Sequence, residues 1–272
     1  MPTVGSLFSG IGGLDLGLER AGFDVIWQCE NDPYCRQVLA THWPDVPCHE
    51  DARTLSADTA RPDLICGGFP CQPVSYAGSR LGAEDERWLW PAFARAIRLL
   101  RPRLALVENV SGLLSRGMGD VLGDLADLGY DTEWDRVAAS DVGAPHRRQR
   151  VFIVAYADRR RRSEWAGDIS EATRRHESAH SSAAAASYSD SAGRQALSQR
   201  NRQALAVFDS PPLGADLDRR DSARRHDWEI EPDVGRMADG VPARMDRLRT
   251  LGNAVVPQVA EAIGRRIVRR FY

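Results

Sequence analysis

Short apolar runs alternate with amphipathic stretches from Val4 to Tyr156, and this alternation restricts the chain more than any other feature of it. Val4–Phe8, Asp24–Cys29, Asp63–Cys66, Leu104–Val107, Thr132–Ala138 and Val151–Tyr156 read as strands. Helical spacing predicts helices from the glycines at 12–13 up to Gly22, then over Pro33–Thr41, Trp88–Leu100 and Met118–Leu128. Strand–helix alternation of this kind implies an α/β domain on a mainly parallel sheet. Such sheets hold ligands beyond the C-terminal ends of their strands, so the residues after each apolar run carry the most information.

The first run ends in Ser9-Gly10-Ile11-Gly12-Gly13, and a glycine turn leading into a helix N-terminus is a cradle for a nucleotide-like ligand. The spacing departs from Gly-x-Gly-x-x-Gly, so a pyrophosphate is not specifically called for, and a plain tight turn also accounts for it. The second run delivers Glu30-Asn31-Asp32. An acid about 20 positions after the glycine turn is where such folds hold ribose hydroxyls, although acids also favour helix N-termini for their own sake. Asp51, after a third short segment, stands where it could meet an adenine amino group. Together these residues suggest a site for an adenosine-bearing cofactor.

The next run leads into Gly67-Gly68-Phe69-Pro70-Cys71-Gln72-Pro73. Two glycines permit a path that side chains would forbid, and two prolines pin the chain around one cysteine. That construction suits a nucleophilic thiol at the sheet edge; the plainer alternative is a packed, inert cysteine. Glu108-Asn109-Val110 brings a carboxylate to the same edge, where it could equally serve as a strand-end cap.

Composition narrows the class. At 272 residues and 43% hydrophobic, the chain can bury a full core as one large domain, alone or with a small companion. No apolar run approaches the ~18 residues of a membrane span, and no signal-peptide pattern opens the sequence, so a cytoplasmic protein without membrane association is expected. The five cysteines, at 29, 35, 48, 66 and 71, crowd the first third and do not suggest a disulfide framework. Cys29, Cys35, His42, Cys48 and His49 have irregular spacing, and no metal site is expected. The net charge is −2, and every basic side chain is arginine. Arginine suits bidentate contact with phosphates and guanine edges, though a GC-rich coding sequence would also favour it. Clusters from His146-Arg147-Arg148-Gln149-Arg150 onward point to nucleic acid.

Phe8-Ser9-Gly10-Ile11-Gly12-Gly13, Pro70-Cys71-Gln72, Glu108-Asn109-Val110, Arg148-Gln149-Arg150 and Gly252-Asn253-Ala254-Val255-Val256-Pro257 occur in that order. In this the chain resembles the DNA (cytosine-5) methyltransferase family, and its compactness resembles phage and prophage members. The resemblance covers residues 3–156 and 234–270. It implies a Rossmann-like, S-adenosylmethionine-dependent methyltransferase fold acting on double-stranded DNA. Cys71 matches the nucleophile that adds to carbon 6 of cytosine. Glu108 matches the carboxylate at ring nitrogen 3, and Arg150 matches the arginine at the carbonyl oxygen, with Arg148 as a supporting neighbour. The resemblance assigns Phe8, Gly10, Ile11 and Gly13 to the cofactor pocket, Glu30 to the ribose and Asp51 to the adenine; Pro70, Asn253 and Val255 complete it. A cytosine in a duplex must leave the stack to reach such a thiol. The Val74–Glu86 loop is the candidate for closing over it, with Ser75 and Arg87 as DNA contacts.

The expected organisation is a catalytic and cofactor-binding part over 1–156, a variable target-recognition region over 157–233, and a C-terminal segment over 234–272 that completes the catalytic part. The middle region holds Arg159-Arg160-Arg161-Arg162 and a Ser/Ala tract at 181–187, with apolar residues too scattered to define a core. Gly235–Arg249 reads as a helical segment, and Ala254–Val268 as a final helix packing back on the first strand, with Asn253 placed to cap it. His146 stands where the family pattern has glutamine. A monomer is expected, and a cognate restriction endonuclease is left open as a partner. The alternatives are a catalytically silent DNA-binding member of the fold and an RNA cytosine methyltransferase.

Overall fold

The computed structural model describes residues 1–70, 88–157 and 244–272. Seven strands form one sheet: β1 (Thr3–Leu7), β2 (Asp24–Cys29), β3 (Cys48–His49), β4 (Leu64–Gly67), β5 (Leu104–Asn109), β6 (Tyr130–Val137) and β7 (Arg150–Ala157). Their spatial order is β3-β2-β1-β4-β5-β7-β6. β1 to β5 pair in parallel, and β7 runs antiparallel between β5 and β6. The order reverses between β1 and β4, which opens a crevice over the C-terminal ends of those two strands.

Side chains alternate across each strand, so the sheet feeds two cores. Ala105 and Val107 of β5 join a core with α3 (Trp90–Leu100) and α5 (Met118–Asp127), the latter preceded by the one-turn α4 (Leu113–Arg116). Leu104 and Leu106 face the opposite way, into a core with α1 (Gly13–Arg20) and the last helix, α7 (Pro257–Phe271). Val259, Ile263 and Ile267 of α7 are buried there. Each stabilises the packing by about 1.5–3 kcal/mol. The remaining helices are α2 (Pro33–His42) beside β3, and α6 (Arg244–Asn253), which precedes α7.

Most strands fall within two residues of where apolar patterning puts them. Two ends differ for physical reasons. β5 extends through Glu108 and Asn109, because β7 continues the ladder and pairs them with Phe152 and Val151. α7 begins at Pro257 with Val256 as its N-cap, while Asn253 ends α6 and caps nothing. Proline at the first helical position fixes φ and needs no N–H partner, which outweighs the capping preference of asparagine. α7 also packs chiefly on α1, not on β1: Gly17 lies directly against Ala260 and the Pro257 carbonyl.

Candidate active site

The turn after β1 is built from left-handed backbone at Phe8 (φ 52°), Gly10 (φ 56°) and Gly12 (φ 82°). A non-glycine residue held there is strained and marks a position that its surroundings enforce. The Gly10 N–H donates to Glu30 Oε2 at 2.8 Å, and the Asp32 N–H to Glu30 Oε1 at 2.8 Å. One carboxylate thereby ties the turn after β1 to the turn after β2. Asp32 in turn caps α2, accepting from the N–H groups of Tyr34 and Cys35 at 2.9 and 3.1 Å. Gly13 opens α1, and a Cβ there would overlap the Val255 carbonyl; glycine is what lets the α6–α7 connector lie across this helix N-terminus.

Beneath the turn, Asp15 is fully buried and accepts from Ser6 Oγ at 3.0 Å and Gln28 Nε2 at 2.9 Å. Burial outweighs those bonds and raises its pKa to about 6.

Across the crevice, β4 runs into Gly67-Gly68-Phe69-Pro70. A Cβ on Gly68 would stand 2.5 Å from Glu108 Oε2, so the carboxyl occupies space that only glycine leaves. Phe69 is wedged between Trp88 and Trp90, with ring centroids at 5.1 and 5.6 Å. Its carbonyl accepts from Asn109 Nδ2 at 3.1 Å, while Asn109 Oδ1 accepts from the Val110 N–H at 2.9 Å. The backbone leading to residue 71 is thus clamped by a buried amide. Cys71, Ser75, Arg87 and the Val74–Glu86 loop lie outside the described residues, as do 158–243.

Glu108 is buried, and Arg150 Nε lies 3.2 Å from its Oε1. Burial pushes the Glu108 carboxyl up to about 7, with Arg150 and Arg148 pulling the other way. At neutral pH this group is poised between acid and carboxylate, the condition for giving or taking a proton. Arg148 has φ 30°, and its guanidinium donates to the carbonyls of Gly252 (2.7 Å) and Ala254 (2.5 Å).

A cavity of about 570 Å³ joins the two sides. Phe8, Gly10, Gly13, Glu30, Asp51, Pro70, Asn253 and Val255 line it, together with Glu108 and Arg150; Ile11 and Arg148 do not. The Asp51 carboxylate holds the Arg53 side chain through Nε at 3.0 Å and a second nitrogen at 2.8 Å, which keeps its pKa below the usual carboxylate range. Sequence reasoning missed three participants. Arg249 of α6 reaches Asp32 Oδ2 at 2.5 Å and closes one side of the cavity. Asn109 holds the Phe69 carbonyl, two residues before Cys71 in the sequence, and Asp15 ties β1 to β2 through Ser6 and Gln28. Asn109 adjoins Glu108 in sequence and could have been noticed; the Arg249–Asp32 pair spans 217 positions and leaves no local signal. Among the described residues no group of His, Cys, Asp and Glu could hold a metal ion, and no helix is long and apolar enough to cross a membrane.

Comparison with known proteins agrees with this architecture. The Type II methyltransferase M.NgoBI of Neisseria gonorrhoeae is 36% identical over 157 residues, covering 56% of this chain and 50% of that protein. M.Eco47II of Escherichia coli is 40% identical over 162 residues (56% and 39%), and M.AquIA of Picosynechococcus is 36% identical over 172 (55% and 69%). The chain thus matches about half the length of M.NgoBI. Among solved structures, a DNA modification methyltransferase encoded within an E. coli prophage aligns with a TM-score of 0.50 and 31% identity, over 58% of this chain and 47% of that one. The Entamoeba histolytica methyltransferase EhMeth shares the fold (TM-score 0.51, 18% identity, 58% and 53% coverage). The expected fold class, an α/β methyltransferase fold on a mainly parallel sheet, is the one observed. The model of the C-5 cytosine-specific DNA methylase family matches residues 3–206, more than half of the sequence, and to that family this chain belongs.

Proposed function

We propose that the protein transfers a methyl group from S-adenosylmethionine to carbon 5 of cytosine in double-stranded DNA. The observation that carries this reading is Glu108, a buried carboxyl with a pKa near 7, paired with Arg150 and sharing one cavity with the glycine turn.

The residues present fit the cofactor. Nothing stands within 4 Å of where a Gly10 Cβ would be, Glu30 and Asp51 line the cavity as acceptors for hydroxyl and amino groups, and Asn253 and Val255 close it from the C-terminal side. When bound, S-adenosylmethionine supplies an electrophilic methyl group on a sulfonium. Glu30 keeps acceptor capacity while bonded to two backbone N–H groups, since each carboxylate oxygen has two lone pairs.

The chain's own residues activate the base. Cytosine carbon 5 is a weak nucleophile until a group adds at carbon 6. Cys71, one residue past the clamped Phe69-Pro70 turn, is the candidate for that addition, as thiolate. Electron density then moves toward ring nitrogen 3, and protonated Glu108 offsets the developing charge by donating there. Arg150 holds the carboxyl and would donate a hydrogen bond to the base's carbonyl oxygen. Once carbon 5 carries the methyl group, its proton passes to water and departure of the thiolate restores the aromatic ring. Reaching the cysteine requires the target to be rotated out of the duplex.

Residues 157–233 are the candidate reader of the target sequence, their arginines suited to phosphate contact, and Ser75 and Arg87 remain candidate DNA contacts. The test is transfer of label from S-adenosylmethionine to unmethylated bacterial genomic DNA, mapped by bisulfite sequencing. Label on cytosines of a recurring short motif supports the reading. Absence of label with DNA binding retained favours a silent binding protein, and label on RNA alone moves the substrate.

A further inference from the structure

Arg148 and Arg150 stand two positions apart, at the entrance to β7. Strand periodicity would send both side chains to the same side. Backbone at φ 30° breaks that alternation and turns Arg148 away: Arg150 lines the cavity beside Glu108, and Arg148 does not. A left-handed conformation is strained for a non-glycine residue, so something must hold it.

What holds it is the end of α6. The last carbonyls of a helix have no intrahelical donor and carry the negative end of its dipole. Arg148 meets two carbonyls there with one guanidinium nitrogen, Gly252 at 2.7 Å and Ala254 at 2.5 Å. Between and after them come Asn253 and Val255, which line the cavity, and the Val255 carbonyl sits where a Cβ of Gly13 would be. A continuous set of contacts therefore runs from Arg148 through the α6–α7 connector to the glycine turn.

We propose that Arg148 is a positioning residue for the cofactor pocket, fixing the Gly252–Ala254 turn and leaving contact with the base to Arg150. This rests on the cofactor reading of the cavity given above. This also gives two arginines separated by one residue distinct tasks: Arg150 pairs with Glu108 inside the cavity, and Arg148 holds the connector that forms part of the cavity wall.

The test uses the full chain and measures the Kd of S-adenosylhomocysteine by calorimetry, with kcat and the KM for S-adenosylmethionine on genomic DNA. Arg148→Gln is expected to raise Kd and KM by about 10- to 100-fold, the range for lost hydrogen bonds from a charged donor, while kcat at saturating cofactor stays within about threefold of wild type. Arg148→Lys, which keeps charge and donors, is expected to recover most of the loss. A fall in kcat of about 100-fold with unchanged Kd would overturn the proposal and place Arg148 at the base. Should Arg148→Gln fail to fold, Arg148→Met takes its place: a raised Kd with retained kcat supports the role, and a Kd equal to that of wild type contradicts it. If the wild-type chain does not bind S-adenosylhomocysteine, the cofactor reading falls first and this inference with it. If wild type binds and Arg148→Gln binds equally well, only this inference falls.

Discussion

Glu108 concentrates the chemistry of the site in one ionisation. Its folded pKa of about 7 lies above the ordinary 4.5 of a glutamate, so the folded state holds its proton over a range where the unfolded chain releases it. The stability this gives is present below the unfolded pKa and is lost as pH rises toward the folded one, on the order of 2–3 kcal/mol across that window. Glu108→Gln removes the ionisation. Its melting temperature is expected to exceed that of wild type at pH 8, and the gap should shrink as pH falls to 5; a gap that widened on acidification would contradict the buried, neutral-preferring carboxyl. In the same variant methyl transfer should drop by about 10²–10⁴, the usual scale of lost acid–base assistance. Wild-type kcat/KM should also fall as pH rises through about 7, a limb that Glu108→Gln is expected to lack.

Local elements decide whether these side chains meet. Asn109 serves the turn that carries Cys71, and Asn109→Ala would leave the buried Phe69 carbonyl without its side-chain donor, a loss of about 1–3 kcal/mol. The expected result is lowered kcat with cofactor affinity unchanged; weakened S-adenosylhomocysteine binding instead would mean the amide supports the other pocket. Gly13→Ala is expected to do the reverse, since its Cβ would displace the Val255 carbonyl and the cavity wall behind it. Calorimetric affinity for S-adenosylhomocysteine should fall, and wild-type affinity would contradict the close approach. The sequence made some of this legible and hid the rest. The short apolar runs at Val25–Trp27 and Leu104–Val107 read as buried strands, and Glu30 and Glu108, which follow them, line the cavity. The α7 start was misread because Asn253 looked like a cap until Pro257 was seen to set the first turn. The family resemblance grouped Arg148 with Arg150, and no pattern in a sequence encodes a φ of 30°.

At the scale of the molecule, the order of the strands brings together segments far apart in the chain. The glycine turn, the Glu108 strand end and the Gly252–Val255 connector meet only because β1, β4 and β5 lie side by side and α7 returns onto α1. Under the proposed function target choice falls to residues 157–233, because their sequence holds none of the family motifs quoted above. Deleting residues 163–205 is expected to change which cytosines are methylated while leaving S-adenosylhomocysteine affinity near wild type. An unaltered bisulfite pattern would reduce that segment to a connector.

Under the proposed function Cys71 attacks cytosine in DNA, and covalent capture reads that step out. Duplex DNA in which 5-fluorocytosine replaces cytosine blocks loss of the group at carbon 5 and should arrest the enzyme on its substrate. With S-adenosylmethionine present, the wild-type chain is expected to form a denaturant-stable protein–DNA adduct whose peptide map places the link at Cys71, and Cys71→Ala is expected to form none. An adduct of equal yield in Cys71→Ala, or its absence in wild-type protein that methylates ordinary DNA, would contradict the account.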